Sequence, residues 1–174
     1  MSSFKIIHGS CVLQDVDAVV NAANKYLASG GGVCGEIFRR AGYEKLNLAC
    51  SKIKTPLDDG DAVITEAFNI TNAKYIIHAV GPDFNNSSAK LDDLFRAYYN
   101  SLVVLKDNNL HSISFPLISS GIYGGNLDNP AIVSAEECLK AYNEFNLKYE
   151  YDINVILCAY SIDEFNRIKS IISD

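Results

Sequence analysis

Two segments of the chain, Ala18-Val-Val-Asn-Ala22 and Tyr75-Ile-Ile-His-Ala-Val80, are apolar almost without a break and too short for buried helices. A strand that is apolar on both sides has to be covered on both faces, which a half-solvated antiparallel sheet cannot do. Helices packed on the two faces of a largely parallel sheet can. Four further strand-like segments fit the same scheme: Phe4 to Ile7, Ala62 to Ala67, Ser112 to Leu117 and Asn154 to Tyr160. The pattern predicts an α/β fold.

Helical spacing fills the intervals. Leu91, Leu94, Phe95, Tyr98, Leu102 and Leu105 form one stripe of a helix of about five turns, with Ser88 as its expected N-cap. Asn129-Pro130 opens the next, with Asn as cap and Pro where its missing N–H is harmless; Ile132, Ala135, Leu139, Tyr142 and Phe145 are expected inward. Ser161 and Glu164 make a capping box for a last helix that buries Phe165, Ile168 and Ile172. Shorter helices are expected over Val33 to Ala41 and Tyr43 to Lys54. At 174 residues, with no repeat or linker, the chain is expected to form one domain over 1–174.

The balance of 15 basic against 21 acidic residues argues against long nucleic acid as a partner, because such binding sets many Lys and Arg against phosphates. It does not oppose a small anion held by backbone N–H groups. There is no membrane-length apolar run and no basic leader with an apolar core behind it. Five cysteines cannot all pair, and none has zinc-site spacing. A cytoplasmic protein with reduced thiols, without membrane or metal, is the expectation.

Seven of the eleven glycines lie in two clusters, Gly30, Gly31, Gly32 and Gly35, then Gly121, Gly124 and Gly125. Each stands between a strand and a helix. Without Cβ atoms the backbone N–H groups can approach a ligand, and a helix start adds unpaired N–H groups and its positive dipole end. Such a place suits a phosphate, and two facing loops could grip a diphosphate. Each cluster alone could equally be there to turn the chain. Gly30, Gly32 and Gly35 spell G-x-G-x-x-G, but about eight residues separate them from Ala22, so the dinucleotide fingerprint is not met.

Val19-Val-Asn-Ala-Ala-Asn24, Gly30-Gly-Gly-Val-Cys-Gly35 with Ala41-Gly42, Tyr75-Ile-Ile-His-Ala-Val-Gly-Pro82 and Phe115-Pro-Leu-Ile-Ser-Ser-Gly-Ile-Tyr-Gly124 resemble, in order and spacing, the macrodomain family. The likeness runs from Ile6 to about Phe165. It implies a three-layer α/β/α sandwich with a central mixed sheet that binds ADP-ribose. The branch it looks most like removes mono-ADP-ribose from modified side chains or deacetylates O-acetyl-ADP-ribose, as a monomer with no cofactor. A reader that binds ADP-ribose without turnover is the alternative.

Carried over residue by residue, the resemblance makes Asn24 a partner of the distal ribose and the attacking water, a role its carboxamide suits by donating and accepting at once. Asn24 as a cap of the turn after its strand is the other reading. Gly31, Gly32 and Val33 would face the phosphates and distal ribose from one side, and Ser119, Ser120, Gly121, Ile122 and Tyr123 from the other. Gly124 would permit the tight loop, and Cys11 and Ala22 would complete the contacts. Tyr160 would lie beside adenine, or else be a core aromatic. His78, among apolar neighbours, reads as structural, as does Asn21.

Two positions depart from the family pattern. Gly9-Ser10-Cys11 stands where Gly-Asp-Ile is common, so a hydroxyl replaces the carboxylate that accepts from the adenine amino group. Cys34 stands where the hydrolytic branch usually has Asp, although macrodomains of alphavirus polyproteins look similar there. A thiol at a helix start is acidified by the dipole and opposed by nearby phosphates, so Cys34 is either a nucleophile or a small wall residue.

Overall fold

In a computed structural model, which describes residues 1–172, six strands form one sheet: β1 (Ser3–His8), β2 (Ala18–Ala23), β3 (Ala62–Glu66), β4 (Tyr75–Val80), β5 (Ser112–Phe115) and β6 (Asn154–Ala159). Their spatial order is β1-β6-β5-β2-β4-β3. All neighbours are parallel except β3, which runs antiparallel to β4. The sheet is therefore mixed, with one antiparallel edge. The two near-continuous apolar segments are the inner strands β2 and β4, whereas the edge strands β1 and β3 are partly exposed.

Helices α1 (Gly32–Ala41) and α2 (Tyr43–Ser51) cover one face. Helices α3 (Leu91–Asp107), α4 (Pro130–Lys148) and α5 (Ile162–Ile168) cover the other, giving the expected three-layer α/β/α sandwich. The two cores differ in content. Tyr98, Phe115 and Phe145 anchor the side of α3 and α4, with the Tyr98 and Phe115 rings edge to face at 5.1 Å. The α1 side packs smaller groups, including Cys11, Cys34, Cys50 and Cys158.

Several expected boundaries and stripes shift. Helix α3 starts at Leu91 after Lys90, which makes no side-chain cap bond, so Ser88 does not cap it. Leu91 itself is exposed at the helix start. Asn129 holds the cap position of α4, but in a left-handed conformation (φ 50°) and with no side-chain cap bond. The inward stripe of α4 is Ala131, Ser134, Ala135, Cys138, Ala141 and Phe145, so small residues rather than Leu139 let it lie close to α3. The Ser161–Glu164 capping box is present, but α5 stops at Ile168 and Ile172 is exposed in a 3-10 turn that follows. Strands β3, β5 and β6 end one or two residues earlier than the apolar runs do. No helix among the described residues is long and apolar enough to cross a membrane.

Candidate functional site

A cavity of about 720 Å³ opens at the carboxyl ends of β1, β2, β5 and β6. That is within the size of small-molecule clefts, and it lies where open α/β sheets bind ligands. Its wall is made by the segments that leave those four strands and by the start of α1.

The first glycine cluster supplies one side through Gly31, Gly32 and Val33. Gly32 begins α1 at φ +58°, a conformation that L side chains rarely adopt. As the first residues of a helix, Gly32, Val33 and Cys34 have N–H groups without an intrahelical acceptor. A Cβ added at Gly30, Gly31 or Gly32 would meet nothing within 4 Å. Gly35 is different: its Cβ would lie 2.5 Å from the Gly30 carbonyl oxygen. The cluster thus divides into one glycine that packing requires and three that face open space.

Asn24 braces this loop from within. Its Oδ1 accepts from the N–H groups of Tyr26 and Ala28, each at 3.1 Å, and its Nδ2 donates to the Ala28 carbonyl at 3.0 Å. Both lone pairs of Oδ1 are taken, and one N–H of Nδ2 is left. Cys34 is buried behind the loop with its Sγ 3.6 Å from the Ala28 carbonyl. Burial pushes its thiol pKa up, against smaller opposing effects from Asn21 and the Gly30 backbone.

The opposite side comes from Ser119, Ser120, Gly121, Ile122 and Tyr123. The N–H groups of Ser120, Gly121, Ile122 and Tyr123 find no backbone or side-chain acceptor among the described residues. Gly121 again faces open space, while a Cβ at Gly124 would lie 2.9 Å from Pro130 and one at Gly125 would overlap the Phe84 and Asn85 backbone. The loop is held from outside. Ser119 Oγ donates to the Pro82 carbonyl at 2.7 Å, Asn85 Nδ2 to the Ile122 carbonyl at 2.7 Å, and Phe84 N–H to the Tyr123 carbonyl at 2.8 Å. At the loop's root the Ile118 N–H donates to the Tyr98 hydroxyl at 2.9 Å, and Ser134 Oγ donates to the Ile118 carbonyl.

The third part of the wall lies at the β1/β6 edge. Register sets His8 beside Ala159, and Gly9 N–H donates to the Ala159 carbonyl at 2.9 Å, so Ser10 and Tyr160 emerge as neighbours. Tyr160 is 77% exposed, which removes it from the core. Ser10 caps the 3-10 turn Cys11–Leu13 and donates its hydroxyl to Glu36 Oε1 at 3.1 Å. Arg39 is the one cation in the lining, against the two carboxylates Glu36 and Glu164. An anionic ligand here would rest chiefly on backbone N–H groups and the α1 dipole.

Below the first loop, buried His78 joins three strands. Its Nδ1 lies 3.0 Å from Asn21 Nδ2 and its Nε2 lies 2.9 Å from Thr65 Oγ1. Because an amide nitrogen only donates, Nδ1 accepts and Nε2–H donates to Thr65, whose hydroxyl passes its own proton to the Glu66 carbonyl at 3.1 Å. Burial lowers the His78 pKa to about 4, so the ring is neutral near pH 7. His78 is outside the cavity wall.

Residues 20–133 match the family model described as Macro domain. The O-acetyl-ADP-ribose deacetylase of Escherichia fergusonii is 37% identical over 174 residues, covering 96% of this chain and 95% of that protein. The chain belongs to the macrodomain family. Human ADP-ribose glycohydrolase MACROD2 is 38% identical over 168 residues, covering 94% of the chain but 38% of that longer protein. The Trypanosoma brucei macrodomain solved in complex with ADP-ribose superposes with a TM-score of 0.83 at 27% identity, covering 98% of this chain and 69% of that one.

In this macrodomain the structure brings twelve of the fifteen expected residues to the cavity: Ser10, Cys11, Ala22, Gly31, Gly32, Val33, Ser119, Ser120, Gly121, Ile122, Tyr123 and Tyr160. Asn24, Cys34 and Gly124 are not part of the cavity's lining. The sequence reading missed Gly9, Glu36, Arg39, Pro116, Leu117, Cys158 and Glu164. Glu36 and Arg39 follow the first glycine cluster at helical spacing and could have been flagged as the exposed face of α1's first turns; for Gly9, Pro116 and Cys158 only the strand order gives the signal.

Proposed function

We propose that this macrodomain binds ADP-ribose and hydrolyses it from modified acidic side chains, or removes the acetyl group of O-acetyl-ADP-ribose. The observation that carries the reading is the pair of facing loops whose N–H groups lack protein acceptors beside glycines that packing does not require. Several charge-assisted N–H bonds, each stronger than a neutral one, converge where a diphosphate would lie. The activities for which its relatives are named and the ADP-ribose complex of its structural neighbour support the same ligand.

In the glycohydrolase reaction a water oxygen bonds to the anomeric carbon of the distal ribose, the carbon–oxygen bond to the side-chain carboxyl breaks, and the free carboxylate and ADP-ribose leave. In the deacetylase reaction water adds to the acetyl carbonyl, the ester bond breaks, and acetate and ADP-ribose result. The protein contributes positioning: the two loops fix the diphosphate, the remaining Asn24 N–H is directed to a ribose hydroxyl or the water, Tyr123 packs on the sugar, and a ligand phosphate oxygen takes the water's proton. Cys34 shapes the wall. One domain acting as a monomer in the cytoplasm is the proposed setting, to which five free, buried cysteines are suited.

Calorimetry with ADP-ribose and release assays on O-acetyl-ADP-ribose and on a Glu-linked mono-ADP-ribosylated protein test the reading. Binding that Gly121→Glu abolishes, together with release from either substrate, is expected. No binding defeats it. Binding without release at high protein concentration would leave the non-catalytic reader, a reading that the missing carboxylate at Cys34 favours and that a gain of release in Cys34→Asp would establish.

A further inference from the structure

We propose that Glu36 selects the nucleobase, its carboxylate accepting a hydrogen bond from an exocyclic amino group on a purine stacked against Tyr160. This deepens the ADP-ribose reading and rests on it. The cavity's β1/β6 end presents a flat, solvent-exposed aromatic ring beside acceptor oxygens, while its other parts present N–H donors. The first combination suits a planar heteroaromatic ring with an N–H₂ on its edge.

The hydrogen bonding shows which charged acceptor is held in place on both of its oxygens with lone pairs to spare. Ser10 keeps one lone pair, but on a neutral oxygen, a weaker acceptor than a carboxylate: its hydroxyl proton goes to Glu36 Oε1 at 3.1 Å and its oxygen accepts from Val12 N–H at 3.3 Å. Glu164 is held on one oxygen only: its Oε1 receives Ser161 N–H and the Ser161 hydroxyl, each at 3.3 Å, while its Oε2 is not fixed by a partner among the described residues. Glu36 has one partner per oxygen, Ser10 on Oε1 and Arg40 Nε on Oε2 at 3.1 Å. Each carboxylate oxygen has two lone pairs, so one remains on each. Ser10 and Arg40 hold the group from opposite sides, and Glu36 is part of the cavity wall. A 6-oxo purine would set its own carbonyl lone pairs against this carboxylate, so rejection of that base is built into the same contact.

Calorimetry with ADP-ribose and with its hypoxanthine counterpart, inosine diphosphate ribose, tests this. Wild-type protein is expected to prefer ADP-ribose by about tenfold or more, the scale at which a site built for an N–H donor rejects its absence when partly open to water. Glu36→Gln, which can accept or donate, should bring the two affinities within about threefold while ADP-ribose still binds. Arg40→Gln and Ser10→Ala, which remove the flanking partners but keep the carboxylate, should retain the preference. Thermal melts verify that each variant is folded. Equal wild-type affinities, a preference that survives Glu36→Gln, or a preference lost instead in Glu164→Gln overturns the assignment. If neither nucleotide binds wild-type protein, the ADP-ribose reading itself has failed and Glu36 falls with it.

Discussion

The two glycine loops face one cavity but are secured in different ways. The second is fixed from outside by Tyr98 on α3, Ser134 on α4 and the neighbouring 82–85 segment. The first depends on one side chain of its own, Asn24, for three hydrogen bonds. One jaw is thus built into the helical layer, while the other is a loop with an internal hub. Preorganised donors keep their geometry at no cost when the ligand arrives, so the second loop should set the diphosphate position and the first should determine how tightly it closes.

The sharpest break between structural and ligand-facing glycines is Gly125 against Gly121. Gly125→Ala should lower stability by on the order of 3 kcal/mol, since its Cβ overlaps backbone atoms of the 84–85 segment and its φ is +48°. Gly121→Ala, with nothing near its Cβ, should leave stability within about 0.5 kcal/mol and act on ADP-ribose affinity instead. Denaturation by guanidinium reads both; equal losses would erase the distinction.

Below the first loop, the Asn21–His78–Thr65 chain pins β2 to β4 and β3, and it should make stability depend on pH. The folded His78 pKa of about 4 lies below the ordinary value of 6.5. The unfolded chain therefore binds the proton more readily, so stability is full above about pH 6.5 and is lost as pH falls toward 4. Between pH 7 and pH 5 this group should contribute a loss of about 2 kcal/mol. Denaturation of wild type and His78→Gln at the two pH values checks it. A variant that retains the full wild-type slope would assign the dependence to other groups.

Next in size is a direct comparison of the two jaws. Asn24→Ala strands the Tyr26 and Ala28 N–H groups and should cost roughly 1–2 kcal/mol of stability and more than about tenfold in affinity. Asn85→Ala removes one of several braces on the second loop and should change affinity by less than about threefold. The reverse order would mean that the second loop, not the first, is the adjustable one.

Much of this was legible in the residues. The unbroken apolar runs of β2 and β4 imply cover on both faces, and the glycine clusters lie where strands give way to helices. Which glycines face the cavity was legible only through the family resemblance, which named Gly31, Gly32 and Gly121 but also Gly124; the local pattern could not tell them apart, because Gly35 and Gly31 differ only in whether a distant backbone fills the space beside them. The place of Glu36 at the end of the cluster was readable from helical spacing, but its partner was not: the contact with Ser10 exists only once the β1/β6 pairing has turned the segment after β1 across the start of α1. Ser88 and Ile172 failed as local signals. Cap propensity marks a helix start only where the chain has actually turned, and the 3-10 turn after α5 carries Ile172 off the helix's apolar face.

The smallest expected effect belongs to Cys34, the residue that departs from the family pattern at the first loop. A thiol attacks as its thiolate, and at the start of α1 the dipole favours that form. Burial outweighs the dipole here and raises the pKa, so near neutral pH the group is a thiol whose sulfur rests near the Ala28 carbonyl, behind the wall. Cys34→Ser keeps a small group with a donor for that carbonyl and should change release of ADP-ribose or acetate by less than about threefold. A loss of more than about a hundredfold, together with a wild-type rate that climbs between pH 7 and 9, would make Cys34 a nucleophile. A small effect would instead place the chemistry on water held between the loops, so that Asn24 and the ligand's phosphate, rather than the thiol, carry whatever turnover the site has.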